Sequence, residues 1–83
     1  METRIALIGI IVEDKESIKE LNTLLSQNSD YILGRMGIPH TSKNVSVISI
    51  VIDAPADVIS SLSGKIGMLP GISSKTVYTK QQS

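Results

Sequence analysis

Apolar residues occupy both faces of the first predicted strand, residues 3–12. The segment is dense in isoleucine and valine, which are typical of strands. A solvated face of a sheet normally alternates polar with apolar residues, and this segment lacks that alternation. We therefore expect the chain's own helices to cover one face of the strand and a second molecule to cover the other.

A helix is predicted to follow and to end near Gln27. Asp14 precedes it and suits the N-cap position, because a carboxylate there accepts hydrogen bonds from the free N–H groups of the first turn. Asn28 is expected to close the helix in the left-handed conformation. The apolar stripe of this helix has the spacing of three and four residues that marks an amphipathic helix, and it consists of Ile18, Leu21, Leu24 and Leu25.

The second half of the chain contains two strands, a helix and a final strand. The strands are predicted at residues 31–38 and 45–53, separated by a polar loop. Both faces of the second of these are expected to be largely buried. The helix is predicted to start at residues 54–57, with Pro55 in its first turn, and to end at Gly67. The last strand, residues 72–79, is more polar and suits the edge of a sheet.

The predicted order is strand, helix, strand, strand, helix, strand, with no linker or long repeat. Because parallel strands joined through a helix cross with a right-handed connection, this order folds into a four-stranded antiparallel sheet with both helices on one face. The fold is therefore predicted to be α+β, a ferredoxin-like βαββαβ sandwich. We expect the first and third strands at the centre of the sheet and the whole chain, residues 1–83, to form a single domain.

Charge and composition exclude several partners. Eight basic and eight acidic residues give a formal net charge of zero, so direct nucleic-acid binding is not expected. RNA recognition on a sheet uses exposed aromatic residues, and Tyr31 and Tyr78 are the only aromatic residues in the sequence. The sequence shows neither a signal peptide nor an apolar run of about 20 residues. We expect a cytoplasmic protein with no membrane contact.

Catalytic and metal-binding chemistry is sparse. There is no cysteine and one histidine, whereas transition-metal sites need three or four ligands, so neither a metal nor a cofactor is expected. The sequence contains no phosphate-binding loop and no nucleophile elbow. Asp53 and Asp57 lie where helix starts ordinarily recruit acidic residues. These observations indicate a protein that is not an enzyme.

Unusual residues are concentrated in residues 34–40, with the sequence GRMGIPH. Glycine within a strand often marks a bulge or the close approach of a backbone or ligand, and Arg35 is able to hold a carboxylate or phosphate. Alternatively, the glycines permit sheet twist and subunit packing, and Arg35 pairs with an acidic residue across an interface. We predict a ligand-binding position at a subunit boundary near Arg35, Gly37 and His40.

Three segments carry a family resemblance: YILGRMGIP at residues 31–39, VSVISIVID at residues 45–53 and LSGKIGMLPGI at residues 62–72. They resemble the small bacterial family of proposed regulators of the iron-only hydrogenase system, over nearly the whole chain. The resemblance implies an ACT-like fold, similar to the carboxy-terminal domain of the nickel-responsive repressor. Such domains bind small ligands or metals and assemble as dimers or tetramers through their sheets.

Two departures from the nickel-responsive repressor limit the resemblance. Its domain supplies three histidines and a cysteine to nickel, whereas only His40 lies in the corresponding part of this sequence. Nickel binding of that type is therefore not expected. The repressor also carries an amino-terminal DNA-binding segment, and this sequence starts directly with its first strand. A role in transcription regulation would then require a separate regulator protein.

Together these observations favour a regulatory or ligand-sensing ACT-like domain, linked by resemblance to transcription regulation of the iron-only hydrogenase system. It is expected to act as a homodimer or homotetramer assembled through its sheet, with a small-molecule effector and a separate regulator protein as further partners. Two alternatives stay open. One is a small hydrolase of the acylphosphatase type, which would use an arginine and an asparagine to bind phosphate and orient water. The other is a purely structural oligomerisation module.

Overall fold

The computed structural model describes residues 2–39 and 42–80. Its elements follow the predicted βαββαβ order, and short 3-10 turns at Lys15–Ser17 and Ser29–Tyr31 flank the first helix. The strands and helices are β1 (Arg4–Val12), α1 (Ile18–Gln27), β2 (Ile32–Ile38), β3 (Ser46–Ala54), α2 (Ala56–Gly67) and β4 (Ile72–Tyr78). Neither helix has the length and apolar character that crossing a membrane would require.

The four strands form one antiparallel sheet in the order β2-β3-β1-β4. The α+β, ferredoxin-like prediction is confirmed, with both helices on one face. β1 and β3 occupy the centre and pair continuously from Arg4↔Ala54 to Val12↔Ser46. The more polar β4 lies at one edge, as its composition predicts, and β2 forms the other edge.

The core lies between the sheet and the two helices. Every second residue of β3, and of β1 from Ala6 onward, points to this side and is buried, whereas the residues between them are not. The alternation arises because successive side chains of a strand point to opposite faces. The buried apolar residues are Ala6, Ile8, Ile10, Val12, Leu21, Leu25, Ile48, Ile50, Ile52, Ala54, Ile59, Leu62, Ile66 and Ile72.

The side of the sheet opposite the helices is here called the open face, because no part of the described chain covers it. Val51 is 36% exposed on this face, while its neighbours Ile50 and Ile52 are fully buried on the other. The prediction that both faces of β3 are largely buried is therefore wrong for the single chain. Eight large apolar side chains are exposed on the open face: Ile5, Leu7, Ile11, Leu33, Met36, Ile38, Val51 and Val77.

The ends of α1 differ from the prediction. Asp14 caps the preceding 3-10 turn, where its carboxylate accepts a hydrogen bond from the Glu16 amide at 3.0 Å. The α-helix itself begins after Ser17, whose side chain makes no capping hydrogen bond. Asn28 has a φ of −114°, so it is not left-handed. Instead its side-chain amide donates to the Leu24 carbonyl at 2.9 Å, which satisfies a carbonyl in the last turn of the helix.

The start of α2 lies within the predicted range of residues 54–57. Ala54 ends β3 and is buried, and the helix begins at Ala56, directly after Pro55. Asp53 pairs with Ile5 inside the sheet. The interpretation of Asp53 as an acidic residue at a helix start is therefore wrong, and its side chain belongs to the open face.

Two loops meet at Gly71, just before β4. The Glu13 amide donates to the Gly71 carbonyl at 2.7 Å, and the buried Ser17 hydroxyl donates to the Pro70 carbonyl at 2.6 Å. Gly71 has a φ of +68°, and a Cβ added there would lie 2.5 Å from the Cβ of Asp14. Glycine is therefore required by both backbone conformation and space. The predicted terminator Gly67 does end α2, but among the described glycines the left-handed one is Gly71.

Replacing Gly71 with alanine is expected to lower the free energy of unfolding by at least about 2 kcal/mol, because a positive φ and a steric clash add together. Gly64→Ala is the matched control: Gly64 is exposed in α2, and an added Cβ meets nothing within 4 Å. It should stabilise the chain by about 0.5–1 kcal/mol. Urea unfolding at one fixed protein concentration measures both, and equal effects would contradict the requirement for glycine at this junction.

Candidate functional site

Arg35 lies on the edge strand β2 and connects it to α1. It pairs with Ile50 and thus points to the helix side of the sheet, although its side chain is exposed. The guanidinium Nη2 donates to Oδ1 of Asn22 at 3.2 Å. Asn22 is on α1, one helical turn after Ile18. The cationic group is therefore held at the gap between α1 and β2.

Gly37 lies two residues further along β2 on the same side as Arg35, paired with Ile48. An added Cβ would sit 3.8 Å from Cγ1 of Ile48 and from the Val47 carbonyl, which is ordinary van der Waals contact. Space alone therefore does not require glycine there. The strand irregularity that the glycines suggested occurs at Gly34, where the pairing with β3 shifts after Ile32.

Arg35 and Gly37 line one cleft between α1 and β2, with a volume of about 210 Å³. His40, the third predicted site residue, lies outside the described residues. The cleft is mainly apolar, and the Ser46 hydroxyl in it already donates to the Pro39 carbonyl. The full lining consists of Ile18, Asn22, Arg35, Gly37, Ile38, Pro39, Ser46 and Ile48.

The chemistry of this cleft fits a small amphipathic anion. A guanidinium has five N–H donors, and one of those of Arg35 is engaged by Asn22. The remaining donors suit a carboxylate or phosphate, and the apolar walls suit a short hydrocarbon group. Because ligand pockets commonly measure about 300–1,000 Å³, a cleft of this size accommodates only a small molecule.

Asn22 is a site residue that the sequence interpretation missed. Its signal is weak: it is an exposed residue of modest helix propensity, placed four positions after the apolar Ile18. Four residues is one turn, so both side chains lie on the same side of α1. The contact with Arg35 depends on the approach of α1 to β2, which no local pattern specifies.

The connection between β1 and α1 does not offer a free anion-binding loop. The amide of Glu13 donates to Gly71, that of Glu16 to the Asp14 carboxylate, and that of Ser17 to the Asp14 carbonyl at 3.1 Å. These are the amides that a phosphate cradle after the first strand would use. Within residues 2–39 and 42–80, no group of three or more histidine, cysteine, aspartate or glutamate residues is placed to hold a metal ion.

The open face is the second candidate functional surface. Its eight apolar side chains are each between 36% and 68% exposed. A hollow of about 340 Å³ lies over Gly9, beside its pairing neighbours Ser49 and Lys75. Exposed apolar patches of this kind mark interaction sites in proteins that are otherwise folded around a packed core.

Comparison with solved structures identifies a relative of the same size. The structure of protein TM1266 from Thermotoga maritima superposes with a TM-score of 0.90 at 35% sequence identity, and the match covers 95% of this chain and 100% of that chain. No curated protein matches the chain significantly.

More distant structures share the fold alone. The C-terminal domain of the MgtC protein from Mycobacterium tuberculosis matches at 10% identity with a TM-score of 0.68, covering 92% of this chain and 87% of that one. CPII, a nitrogen regulatory PII-like protein from Thiomonas intermedia K12, matches at 13% identity with a TM-score of 0.51, covering 96% and 100%. At these identities the likeness establishes only the arrangement of strands and helices.

A family model covers almost all of the folded part of the chain. It matches residues 4–76, from the first residue of β1 to within β4. The match includes the three segments on which the sequence resemblance rests. Together with the similarity to TM1266, this shows that the chain belongs to the TM1266-like family of proposed iron-only hydrogenase system regulators.

Proposed function

We propose that the chain is an ACT-like regulatory domain of the iron-only hydrogenase system that assembles through its open face and senses a small effector. Its family supports the regulatory role. The observation that carries the assembly is the set of eight exposed apolar side chains on one side of the sheet. We further propose that it acts in the cytoplasm without catalysis, and influences transcription through a separate regulator protein.

The apolar surface is large enough to drive self-association. The exposed fractions of the eight side chains together correspond to about four complete side chains. Burying one such side chain contributes about 1.5–3 kcal/mol, so two copies that cover each other gain up to roughly 12–24 kcal/mol. Association costs about 4–15 kcal/mol in lost freedom. The gain at full coverage is thus comparable with or larger than this cost, which supports an assembly in which the two open faces match.

The cleft at Arg35 is the proposed effector position. An arginine fixed by Asn22 beside apolar walls selects a small carboxylate or phosphate ester with a short apolar group. One side of β2 lines the cleft, and the other side presents exposed apolar residues of the open face. A bound effector would therefore be separated from the proposed interface by β2 alone. This placement supports a sensing role over a purely structural one.

The two alternatives make different demands on the same residues. A structural oligomerisation module would assemble but bind no effector. A hydrolase of the acylphosphatase type would turn over an acyl phosphate through Arg35 and Asn22, which the structure brings within 3.2 Å. The amides of Glu13, Glu16 and Ser17 after β1, however, are already hydrogen-bonded within the chain, which counts against a phosphate cradle there.

Met36→Lys is expected to shift the wild-type oligomer toward the monomer, because it places a charge on the open face where burial requires an apolar group. Met68→Lys is the matched control: Met68 is 85% exposed and follows α2, away from the sheet. Its mass in solution should not change. Sedimentation equilibrium over a range of concentrations measures all three proteins. A wild-type chain that remains monomeric at every concentration would contradict the proposed assembly.

Arg35→Ala is expected to abolish binding of a small carboxylate or phosphate ester, because it removes the cation of the cleft. Thermal unfolding against a panel of short carboxylates, free amino acids and phosphate esters measures this, since a ligand at 100 times its dissociation constant stabilises by about 2.7 kcal/mol. Lys19→Ala, at an exposed position of α1 outside the cleft, should keep the wild-type response.

The outcomes of that panel separate the alternatives. A wild-type protein that responds to none of these compounds contradicts the effector proposal and leaves a structural module. Release of phosphate from acetyl phosphate that is lost in Arg35→Ala but retained in Lys19→Ala would support the hydrolase instead.

A further inference from the structure

Two charged side chains stand on the strands of the open face, among its eight exposed apolar side chains. Asp53 of β3 is partly buried, and Lys75 of β4 is exposed. Neither takes part in a hydrogen bond or ion pair with another residue of the described chain. Covering this face with an apolar surface would leave both charges desolvated and unpaired, which is costly.

The sheet register fixes where these charges lie. Asp53 pairs with Ile5 and Lys75 pairs with Gly9, so the two residues flank β1 on opposite sides and are offset by four residues along it. A rise of about 3.3 Å per residue and a strand spacing of about 4.8 Å put them roughly 16 Å apart, too far to pair within one chain. Midway between them lies Leu7, whose neighbours across the sheet are Val51 and Val77.

We propose that a second copy of the chain covers the open face through a twofold axis near Leu7, with Lys75 of each copy against the partner's Asp53. This inference rests on the proposed self-association. The axis lies in the plane of the interface, at right angles to the line that joins Asp53 and Lys75. Rotation about this axis places Asp53 of the second copy over Lys75 of the first and Lys75 of the second copy over Asp53 of the first, so both ion pairs form at once. In this register the strands of the two copies cross at about 70°, toward the orthogonal class of sheet packing.

The charges favour a second copy over an unrelated partner. One positive and one negative charge at equal distances from an apolar centre make the face complementary to itself. A register that stacks Lys75 on Lys75 leaves like charges together and is penalised. A uniformly acidic or basic partner would satisfy only one of the two. Asp53 and Lys75 therefore determine how the two copies are aligned, while burial of the apolar residues around Leu7 drives their association.

Charge reversal tests the register. Lys75→Glu alone and Asp53→Lys alone are each expected to weaken homodimerisation at least tenfold, because each creates two like-charge contacts. An equimolar mixture of these two variants should recover the wild-type dissociation constant to within a few-fold, since the mixed dimer restores both opposite-charge contacts. The double variant Lys75→Glu/Asp53→Lys should dimerise with itself for the same reason. Sedimentation velocity, with one variant fluorescently labelled, measures each constant.

The controls for this test are charge reversals on α1. Lys19→Glu and Glu20→Lys make the same charge changes on the exposed surface of α1 and should leave the wild-type constant unchanged. Circular dichroism confirms that each variant is folded. A wild-type monomer would overturn the assembly itself. A wild-type dimer whose constant is unaffected by the single reversals, or a mixture that fails to recover, would overturn the charge register and leave the assembly standing.

Discussion

Burial of the central strands is the interaction on which the rest of the molecule depends. β1 is apolar on both faces and β3 carries two apolar residues on its open side, but the two helices of the chain cover only the other side. Ile8 and Ile50 are fully buried beneath the helices, while Leu7, one residue from Ile8, is 45% exposed. A chain of 83 residues buries only about 60–65% of its unfolded surface. Its internal core thus stabilises the fold, and its second apolar layer is left exposed on the open face.

The junction at Gly71 connects that core to the candidate cleft. Hydrogen bonds from Glu13 and Ser17 to the loop before β4 hold the segment that leads into α1. α1 begins immediately afterwards and presents Asn22 to the edge strand β2. These hydrogen bonds thus link the loop before β4 to the start of the helix that forms one wall of the cleft.

Local sequence patterns were sufficient to predict the order of elements and the central strands, but not several of their ends. The apolar stripe of α1 depends on residues close in sequence, and its prediction is confirmed, because Leu21 and Leu25 are buried and Ile18 and Leu24 pack against the core. Asp53 lies two residues before a proline and therefore resembles a helix start, yet its pairing with Ile5, almost fifty residues away, places it in the sheet. Asn28 is a residue type that often ends a helix in the left-handed conformation, but here its side-chain amide donates a hydrogen bond to the Leu24 carbonyl instead.

The candidate site shows the same division between local and distant information. The unusual composition around Arg35 and Gly37 drew attention to β2, and the structure places both residues in one cleft. Asn22 was missed because its role depends on how closely α1 approaches that strand. The arrangement of Asp53 and Lys75 on either side of β1 is likewise not predictable from local sequence patterns, since it depends on how both β3 and β4 pair with β1.

Strand β2 provides a physical connection between the cleft and the open face. Arg35 and Gly37 point to one side of this strand, and Met36 and Ile38 point to the other. β2 is an edge strand paired only to β3 in the described sheet, with a shift in its pairing near Gly34. A shift of the β2 backbone would therefore displace residues of the cleft and of the open face together. By linkage, any effector that binds the assembled form more tightly strengthens assembly by the same factor. An edge strand shared by both surfaces thus provides a direct physical connection between the proposed effector position and the proposed interface.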